Sequence, residues 1–387
     1  MYLFTQAEEK WNEFLKSKIT LYGIYRNYDY GPNAENFVSG ISHFITHRLL
    51  LEYSIINDIR QKYNSKKVDK FIEEVYWRVY WKGWLENRPS VWTNFVEKKN
   101  DEFNNSIYEK AIKGETELSF FNSWVHELKE YNYLHNHTRM WFASTWIFNL
   151  GLPWELGAKF FIEHLLDGDA ASNTLSWRWV AGLHTKGKKY IFTTKNLRKF
   201  SNNRFITNSI NFKQIDLQDN FKADYEDQIY TQSMQKVNTK LLLFENDLHI
   251  PTLENLINSY EEVLLISLDD IDRQIRISDK VSNFKDLILC EFESKFSNMQ
   301  KIKSSSLREK LKNTNHIDVI YPGIGENLDF LKRFQSKVGI GLNYLVRKED
   351  LYSWKFAKKG FFKFKENIPK INNFIKNNDF KNLFEFK

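Results

Sequence analysis

Charged and amide side chains are concentrated in an apolar, tryptophan-rich stretch between residues 134 and 179. Arg139 follows Asn136 by three residues, so a helix would place both side chains on one face. Burying an arginine together with carboxylates costs roughly several kcal/mol unless they pair with each other or with a polar ligand. Among so many aromatic rings, these groups indicate a flat heterocyclic ligand with hydrogen-bonding edges. The polar groups that follow Arg139 in the same stretch are Asp167, Asp169 and Asn173.

The elements that must position these groups are predicted to be helices. Apolar residues recur at helical spacing from about residue 5 to residue 185, which predicts an all-α domain over residues 1–205. Residues 201–238 are polar and lack a sustained period, and we place a linker at 206–238. The predicted helices cover residues 5–22, 38–62, 68–86, 119–131, 135–150, 154–166 and 173–182.

The rest of the chain, residues 239–387, alternates short β-type runs with helical ones. This alternation predicts a smaller α/β domain with a parallel sheet. Gly323 and Gly325 suggest a dinucleotide-binding loop, but the third glycine is absent, which favours an ordinary turn from a strand to a helix. The predicted strands are 240–244, 263–267, 287–290, 317–321 and 342–346.

Composition narrows the class of protein. A chain of 387 residues with 42% apolar and 27% charged residues is long enough for two folded domains. Its single cysteine, Cys290, excludes disulfides within the chain and a four-cysteine iron–sulfur cluster. The net charge of +7 favours a polyanionic partner. Without a signal peptide or a long apolar run, we expect a cytoplasmic protein, monomeric and not bound to a membrane.

The polar stretch resembles the FAD-binding domain of the photolyase and cryptochrome family. Residues 167–179 follow that family's D-G-D-x-x-x-N-x-x-x-W-x-W signature, and HNHTRM at 135–140 stands where the family has H-N-R-x-R-M. Three further segments match in order: YGIYRN at 22–27, VSGIS at 38–42, and EVYWR at 74–78. The resemblance covers roughly residues 10–205 and implies an all-α FAD-binding domain of photolyase type. The α/β part loosely resembles the family's antenna domain, which in the family precedes the FAD-binding domain. This resemblance does not indicate which antenna chromophore, if any, is bound.

The resemblance implies how FAD would be held. Ser39 and Ser42 offer hydroxyl groups to a diphosphate at the start of a helix, although Ser39 as a plain helix cap stays an alternative. Arg139 and Asp167 match the family pair beside the flavin ring, with an interhelical salt bridge as the alternative. Asn173 matches the residue that faces flavin N5. The FAD-contacting residues implied by the resemblance are Tyr22, Ser39, Ser42, Arg78, Asn136, Arg139, Asp167, Asp169 and Asn173.

The resemblance also implies an electron relay. Trp177 and Trp154 match the first two members of the family's tryptophan chain, which carries electrons to the light-excited flavin. The third member has no equivalent, because its aligned region at residues 100–103 contains no tryptophan. Four other tryptophans are candidates, although each is more typical of a core residue: Trp92, Trp124, Trp141 and Trp146.

A lesion pocket is the last feature that the resemblance implies. Glu74, Trp77, Asn136 and Met140 match the pocket of the cyclobutane-dimer branch, where an aromatic wall and polar groups would recognise a flipped-out dimer. As bare sequence, the segment around Glu74 is more typical of an amphipathic helix. After Trp179 the family's glycine-rich loop is replaced by a segment dense in basic residues, suited to phosphates or to a solvated face. These are Lys186, Lys188, Lys189, Lys195, Arg198, Lys199 and Arg204.

Two functions therefore remain open at the level of the sequence. The first is a deoxyribodipyrimidine photolyase-like lyase, in which photoexcited reduced FAD donates an electron to a pyrimidine dimer in damaged DNA. Glu74, Asn173, Trp154 and Trp177 would then be its catalytic residues. The alternative is a cryptochrome-type blue-light photoreceptor or redox flavoprotein without repair, and a nucleotide-binding structural protein that has lost FAD is a third class. No metal site is expected, since His135 and His137 lie two apart on a helix and face different directions.

Overall fold

The first half of the chain is helical. A computed structural model describes residues 2–98, 106–185, 187–226 and 235–377. Region 100–103, where the third relay tryptophan was sought, and Lys186 lie outside the described residues. The helices of this half are α1 (Leu3–Ser17), α2 (Ile19–Tyr25), α3 (Ser42–Thr46), α4 (Glu52–Lys62), α5 (Asp69–Glu86), α6 (Pro89–Glu97), α7 (Ser106–Lys113), α8 (Ser119–Tyr131), α9 (Asn136–Ser144), α10 (Trp154–His164), α11 (Ala170–Ala181) and α12 (Thr194–Phe200).

One predicted helix of this half is divided. The prediction of a single helix over 38–62 was wrong, because the chain turns between α3 and α4. Arg48 lies in that turn with a φ of 52°, a left-handed conformation that ends a helix and costs roughly 1–2 kcal/mol for a side chain of this kind. The predicted helix over 135–150 continues beyond α9 as a π-helical turn over Thr145–Asn149.

The second half contains the predicted parallel sheet. Its strands pair in the order β3-β2-β1-β4-β5, all parallel, over the described residues. Residues that alternate along β1 and β2 face two cores, one shared with the helical half and one covered by α15 and α16. The elements are β1 (Lys240–Phe244), α13 (Ile250–Asn258), β2 (Glu262–Ser267), α14 (Asp279–Glu293), β3 (Met299–Lys303), α15 (Leu307–Lys310), β4 (His316–Ile320), α16 (Glu326–Val338), β5 (Gly341–Leu345), α17 (Lys348–Trp354), α18 (Phe361–Lys365) and α19 (Ile368–Asn377).

One strand of the sheet was assigned to the wrong segment. The run at 287–290 lies inside α14, whose N-cap Ser278 accepts a hydrogen bond from the backbone of Val281. A short apolar run does not by itself distinguish a strand from a buried helical face. The strand is β3, which was missed because this edge strand exposes part of its side chains and carries two lysines. Gly325 caps α16 directly after β4, which confirms the strand-to-helix turn.

The two halves meet through buried charges at the carboxyl ends of the strands. Arg48 donates to Asp350 through both terminal nitrogens, at 2.7 and 2.8 Å, and to Asp247 at 3.1 Å. Arg347 donates to Asp247 at 2.5 and 2.6 Å. Because each of these charges is buried with an opposite partner, removing one partner leaves an unpaired buried charge, which costs about 3–5 kcal/mol.

Two segments that join the halves pack on the helical half. Residues 206–226, which fall in the predicted linker 206–238, contribute apolar side chains to the helical core rather than forming a free connection. Asp219 accepts two hydrogen bonds from the buried Arg178, at 2.8 and 2.5 Å, which fixes this segment against α11. At the other end, α17, α18 and α19 return from the sheet and pack on and around α5. The boundary at residue 239 therefore separates sequence segments that contact each other extensively.

No helix within the described ranges is long and apolar enough to cross a lipid bilayer.

Candidate functional site

A cavity of about 470 Å³ opens within the helical half. It is bounded by α2, the turn before α3, α5, α9 and α11. Four basic side chains and two acidic ones line it. The basic ones are Arg26, Lys70, Arg78 and Arg139, and the acidic ones are Glu74 and Asp167. Several basic side chains in a partly enclosed space suit a ligand that carries phosphate groups.

Helix α5 forms one wall of the cavity. Lys70, Glu74, Trp77 and Trp81 line it at intervals of three and four residues, which places them along one face of the helix. Asp69 begins the helix with a negative charge in its first turn, where the helix dipole favours it. This wall therefore carries a positive and a negative charge at one end and two indole rings at the other.

Arg139 and Asp167 meet across the cavity wall, as the sequence predicts. Their charged atoms Nη2 and Oδ2 lie 3.0 Å apart, and Nε of Arg139 also donates to the Leu134 carbonyl at 2.9 Å. Burial would raise the pKa of Asp167, but the guanidinium of Arg139 outweighs it and holds that pKa below its usual value. The ion pair exists in the protein itself, so the salt-bridge alternative and a ligand-binding role are both compatible with this geometry.

Asn173 lines the cavity from α11 with one half of its amide already engaged. Its Nδ2 donates to the carbonyl of Ala158 at 2.8 Å. This bond orients the side chain and makes its oxygen the atom that remains available to a ligand.

The residues that are expected to contact the diphosphate lie together in another part of the cavity lining. Tyr22, Ser39 and Ser42 all line it, and burial raises the pKa of the Tyr22 hydroxyl, which keeps it a neutral donor. Helix α3 begins at Ser42 with Ile41 as its N-cap, so the alternative that Ser39 is the helix cap is wrong. Gly40 between the two serines has a φ of 63°, a left-handed conformation that glycine adopts without strain.

Asp169, for which the resemblance implies a contact with FAD, is not among the residues that line the cavity. Its side chain accepts a hydrogen bond from the backbone of Ser172 at 2.7 Å and so caps α11. It also accepts from Arg78 at 2.9 Å, while Arg78 donates to Thr46 at the same distance and lines the cavity. Asp169 is therefore placed to hold Arg78 and the start of α11, because an aspartate before a helix prefers the free backbone N–H groups.

Of the two predicted relay residues, Trp177 lines the cavity and Trp154 does not. The Trp154 ring stacks on Phe95 at 5.5 Å. Trp177 contacts the ring of Trp146 edge-on, at 6.3 Å and 83°. Gly157 lies between these two indoles, and a Cβ added there would come within 2.3 Å of Trp177. Glycine at this position therefore permits the close approach.

The four predicted lesion-pocket residues also line the cavity, but two of them are engaged with other side chains. Glu74 forms ion pairs with Arg26 and Lys70, each at 3.0 Å. The Trp77 ring stacks on Phe361 from α18 at 3.8 Å and an interplanar angle of 11°. The remaining two, Asn136 at the exposed start of α9 and the half-buried Met140, line the cavity from α9.

Several lining residues were missed by the sequence analysis. Arg26 lies four residues after Tyr22 and Lys70 four residues before Glu74, so helical spacing from predicted site residues is the signal that would have found them. Tyr133 is also a lining residue, and the guanidinium of Arg139 lies over its ring, 5.4 Å from the ring centre. Phe361 had no such signal, because its contact with the cavity wall joins residues almost 300 positions apart.

Comparison with known proteins identifies this arrangement. A family model described as the FAD binding domain of DNA photolyase matches residues 71–235. Over these residues the chain is similar to the photolyase/cryptochrome family. Its helical half is therefore an FAD-binding domain of the photolyase type, as the sequence predicts. The match extends over the first part of the segment that precedes the sheet, consistent with the packing of residues 206–226 on the helical core.

Relatives within the family match only part of their length. A deoxyribodipyrimidine photo-lyase of Neurospora crassa is 29% identical over 147 residues, which cover 35% of this chain and 24% of that protein. A deoxyribodipyrimidine photo-lyase of Agrobacterium fabrum is 31% identical over 122 residues, which cover 30% of this chain and 26% of that protein. The aligned part of the chain thus spans 24% to 26% of the length of these relatives.

Solved structures of the family are similar over a comparable region. A bacterial class III photolyase from Agrobacterium tumefaciens has a TM-score of 0.44 and 23% identity, covering 51% of this chain and 42% of that one. A cryptochrome from Synechocystis has a TM-score of 0.45 and 20% identity, covering 51% and 43%.

Proposed function

We propose that the cavity binds FAD and that the protein uses light to split cyclobutane pyrimidine dimers in damaged DNA. The observation that carries this proposal is one cavity that combines the Arg139–Asp167 pair, the amide of Asn173 and the indole of Trp177 with further basic side chains. Its volume of about 470 Å³ lies within the roughly 300–1,000 Å³ typical of ligand sites.

The polar atoms of the cavity fit a dinucleotide of this kind. Among the described residues, the buried Oγ of Ser172 and Nε1 of Trp177 have no hydrogen-bond partner, although both residues line the cavity. Buried polar groups are rarely left unpaired, so a ligand with acceptor atoms would satisfy them.

The chain's own residues would divide the work as follows. Tyr22, Ser39 and Ser42 would donate hydrogen bonds to the diphosphate, with Arg26 and Lys70 supplying charge. Reduced FAD bound there would supply the light-driven electron. The guanidinium of Arg139 would stabilise negative charge on the ring, and the oxygen of Asn173 would accept a hydrogen bond from it.

The lesion would enter between the wall of α5 and the start of α9. Trp77 offers the face that is not stacked on Phe361, and Asn136 and Met140 line the cavity from α9. Glu74 could contact a dimer only while it also balances Arg26 and Lys70. Its substitution by alanine therefore removes the ion-pair partner of Arg26 and one of the two partners of Lys70, besides removing any contact with the dimer.

Illuminated repair tests this proposal directly. Purified protein with photoreduced flavin is mixed with DNA that contains a cyclobutane dimer, under blue light and in the dark. We expect loss of the dimer only in the light, and a reduced yield for Trp77→Ala, which removes the aromatic wall. Flavin-loaded protein that leaves the dimer intact under light would contradict repair.

The engagement of Glu74 and of one face of Trp77 favours a second candidate, a photoreceptor or redox flavoprotein of cryptochrome type. That function needs the flavin but not a free lesion pocket. Light-dependent flavin reduction together with equal affinity for damaged and undamaged DNA would support it.

A further inference from the structure

A segment rich in lysine and phenylalanine, residues 358–365, borders the cavity along α5. Phe361 stacks on the cavity-lining Trp77 at 3.8 Å, and Tyr80 donates to the backbone carbonyl of Lys359 at 3.0 Å. Lys365 forms an ion pair with Glu73, next to the cavity-lining Glu74. The segment therefore follows the same stretch of α5 that forms the cavity wall.

Within this segment one apolar side chain points to solvent. Phe362 is 79% exposed, whereas its neighbours Phe361 and Phe364 are buried. Among the phenylalanines and tryptophans of the described residues, Phe362 is the one whose side chain is exposed. An exposed aromatic ring between lysines is available to a partner that offers both an apolar surface and negative charge.

Lysines surround Phe362 on both sides. Lys358, Lys359, Lys363 and Lys365 are all exposed. Lys363 pairs with Glu366 at 2.8 Å on the open surface, where such pairs contribute about 0–1 kcal/mol. Phosphate groups can replace weak partners of this kind.

A second basic loop meets the segment at the same part of α5. His184 contacts the hydroxyl of Tyr80 at 3.1 Å and the ring of Trp81 at 4.6 Å. The loop continues through the exposed Lys188 to Tyr190, which stacks on the cavity-lining Trp179 at 5.6 Å. Basic side chains thus border the cavity along two segments that converge on one helix.

We infer that residues 358–365 form a DNA-contacting surface, with the lysines on backbone phosphates and Phe362 as an apolar wedge in the duplex. The inference rests on the proposed function, since it takes DNA as the partner. An enzyme that acts on a base within a duplex must extrude it from the stack, and an inserted apolar side chain helps to fill the gap. Phe362 directly follows Phe361, which stacks on the cavity-lining Trp77, so a wedge there is placed for that task. This surface comes from the half of the chain that follows the FAD-binding domain.

Binding of labelled duplexes by the full-length, flavin-loaded protein tests the inference. Fluorescence anisotropy is measured with dimer-containing and undamaged DNA at several salt concentrations. We expect Phe362→Ala to weaken binding of dimer-containing DNA about tenfold, the scale of a lost stacking contact. The matched control is Ile271→Ala, another exposed apolar residue, which is 91% exposed and follows β2.

The lysines are tested through the salt dependence. The double variant Lys359→Gln with Lys363→Gln should lower the slope of log affinity against log salt by about two for both DNAs. The exposed pair Lys310→Gln with Lys312→Gln, at α15, provides the control of equal charge. Unfolding temperatures are compared for all variants, since each changed side chain is exposed.

The outcomes separate this inference from the proposed function. Wild-type protein that prefers dimer-containing DNA, with unchanged binding in the Phe362 and lysine variants, overturns the inference and leaves repair standing. Equal wild-type affinity for both DNAs, still weakened in the variants, supports the surface and contradicts the lesion pocket. Loss of binding to anionic lipid vesicles in Phe362→Ala, with DNA binding unchanged, would assign the surface to a membrane and overturn the inference.

Discussion

The amide of Asn173 shows how a single hydrogen bond decides what a cavity residue offers its ligand. Because Nδ2 is bound to the Ala158 carbonyl, the side chain presents an acceptor and loses little entropy on binding a ligand. Arg139 is similarly held by Asp167 and by the Leu134 carbonyl. The site is thus oriented before any ligand arrives.

For Asn173→Ala we expect flavin content close to wild type and a change in which flavin radical accumulates under light. The variant removes one acceptor at the ring but leaves the charges of the cavity unchanged. Absorption spectra during illumination measure the outcome, with Asn149→Ala outside the cavity as the control. Identical spectra for Asn173→Ala and wild type would contradict the assigned position at the ring.

The neighbours of Trp177 lead to a prediction about the electron route. Trp146 contacts Trp177 at 6.3 Å and also meets the half-buried Tyr108 at 6.0 Å, forming a continuous path of rings toward the surface. We expect Trp146→Phe to slow photoreduction of bound FAD more than Trp154→Phe does, in the presence of a thiol reductant. Transient absorption gives the rates, and a larger effect of Trp154→Phe would restore the relay inferred from the family.

At the scale of elements, α5 is the part on which the site most depends. One face of α5 lines the cavity. The helix also packs against α17, and the two helices approach closely at Gly83. A Cβ at Gly83 would lie 2.6 Å from the Trp354 ring and 2.8 Å from its backbone. Since backbone atoms cannot move aside cheaply, the close contact requires glycine.

Gly83→Ala should therefore lower the free energy of unfolding by about 1–3 kcal/mol through overpacking. Gly360→Ala is the control, because nothing lies within 4 Å of a Cβ at that position. Urea unfolding of both variants measures the difference. Equal stability of Gly83→Ala and wild type would show that α17 does not pack on α5 as closely as described.

The helices and strands also show which parts of the fold and the site could be predicted from the sequence. Residues 68–86 and 119–131 are strongly periodic, and the helices there match their predictions closely. Arg139, Asp167 and Asn173 were found because their motif spacing is local. Phe361 on Trp77 was not found, because long-range packing leaves no trace in local spacing, and β3 was not found because a half-exposed edge strand lacks a clear apolar pattern.

At the scale of the whole molecule, a buried carboxylate links the helical half to the sheet. Glu86 at the end of α5 accepts from the Tyr321 hydroxyl at 2.7 Å and from the backbone of Ile324 at 2.8 Å. Burial raises the pKa of Glu86 to about 7, despite these two hydrogen bonds. The folded protein, with its contact between the two halves, is therefore more stable when Glu86 is protonated than when it is ionised.

The sign of the pH dependence follows from that raised pKa. The stabilisation is fully present below the ordinary pKa of about 4.5 and is lost as the pH rises through about 7, because the unfolded chain releases the proton first. Glu86→Gln should remove about 1–3 kcal/mol of this loss between pH 5 and pH 8. Urea unfolding at both pH values tests it, with Glu9→Gln, at an exposed position of α1, as the control. The same pH dependence in Glu86→Gln and wild type would contradict a neutral Glu86.

The absorption spectrum of the purified full-length protein tests the central claim, that the cavity of the helical half holds FAD. The account predicts flavin bands at one FAD per chain, and a loss of bound flavin in Arg139→Ala, which unpairs the buried carboxylate of Asp167. A folded wild-type protein that shows no flavin bands, even after incubation with FAD, would contradict both the repair and the photoreceptor function.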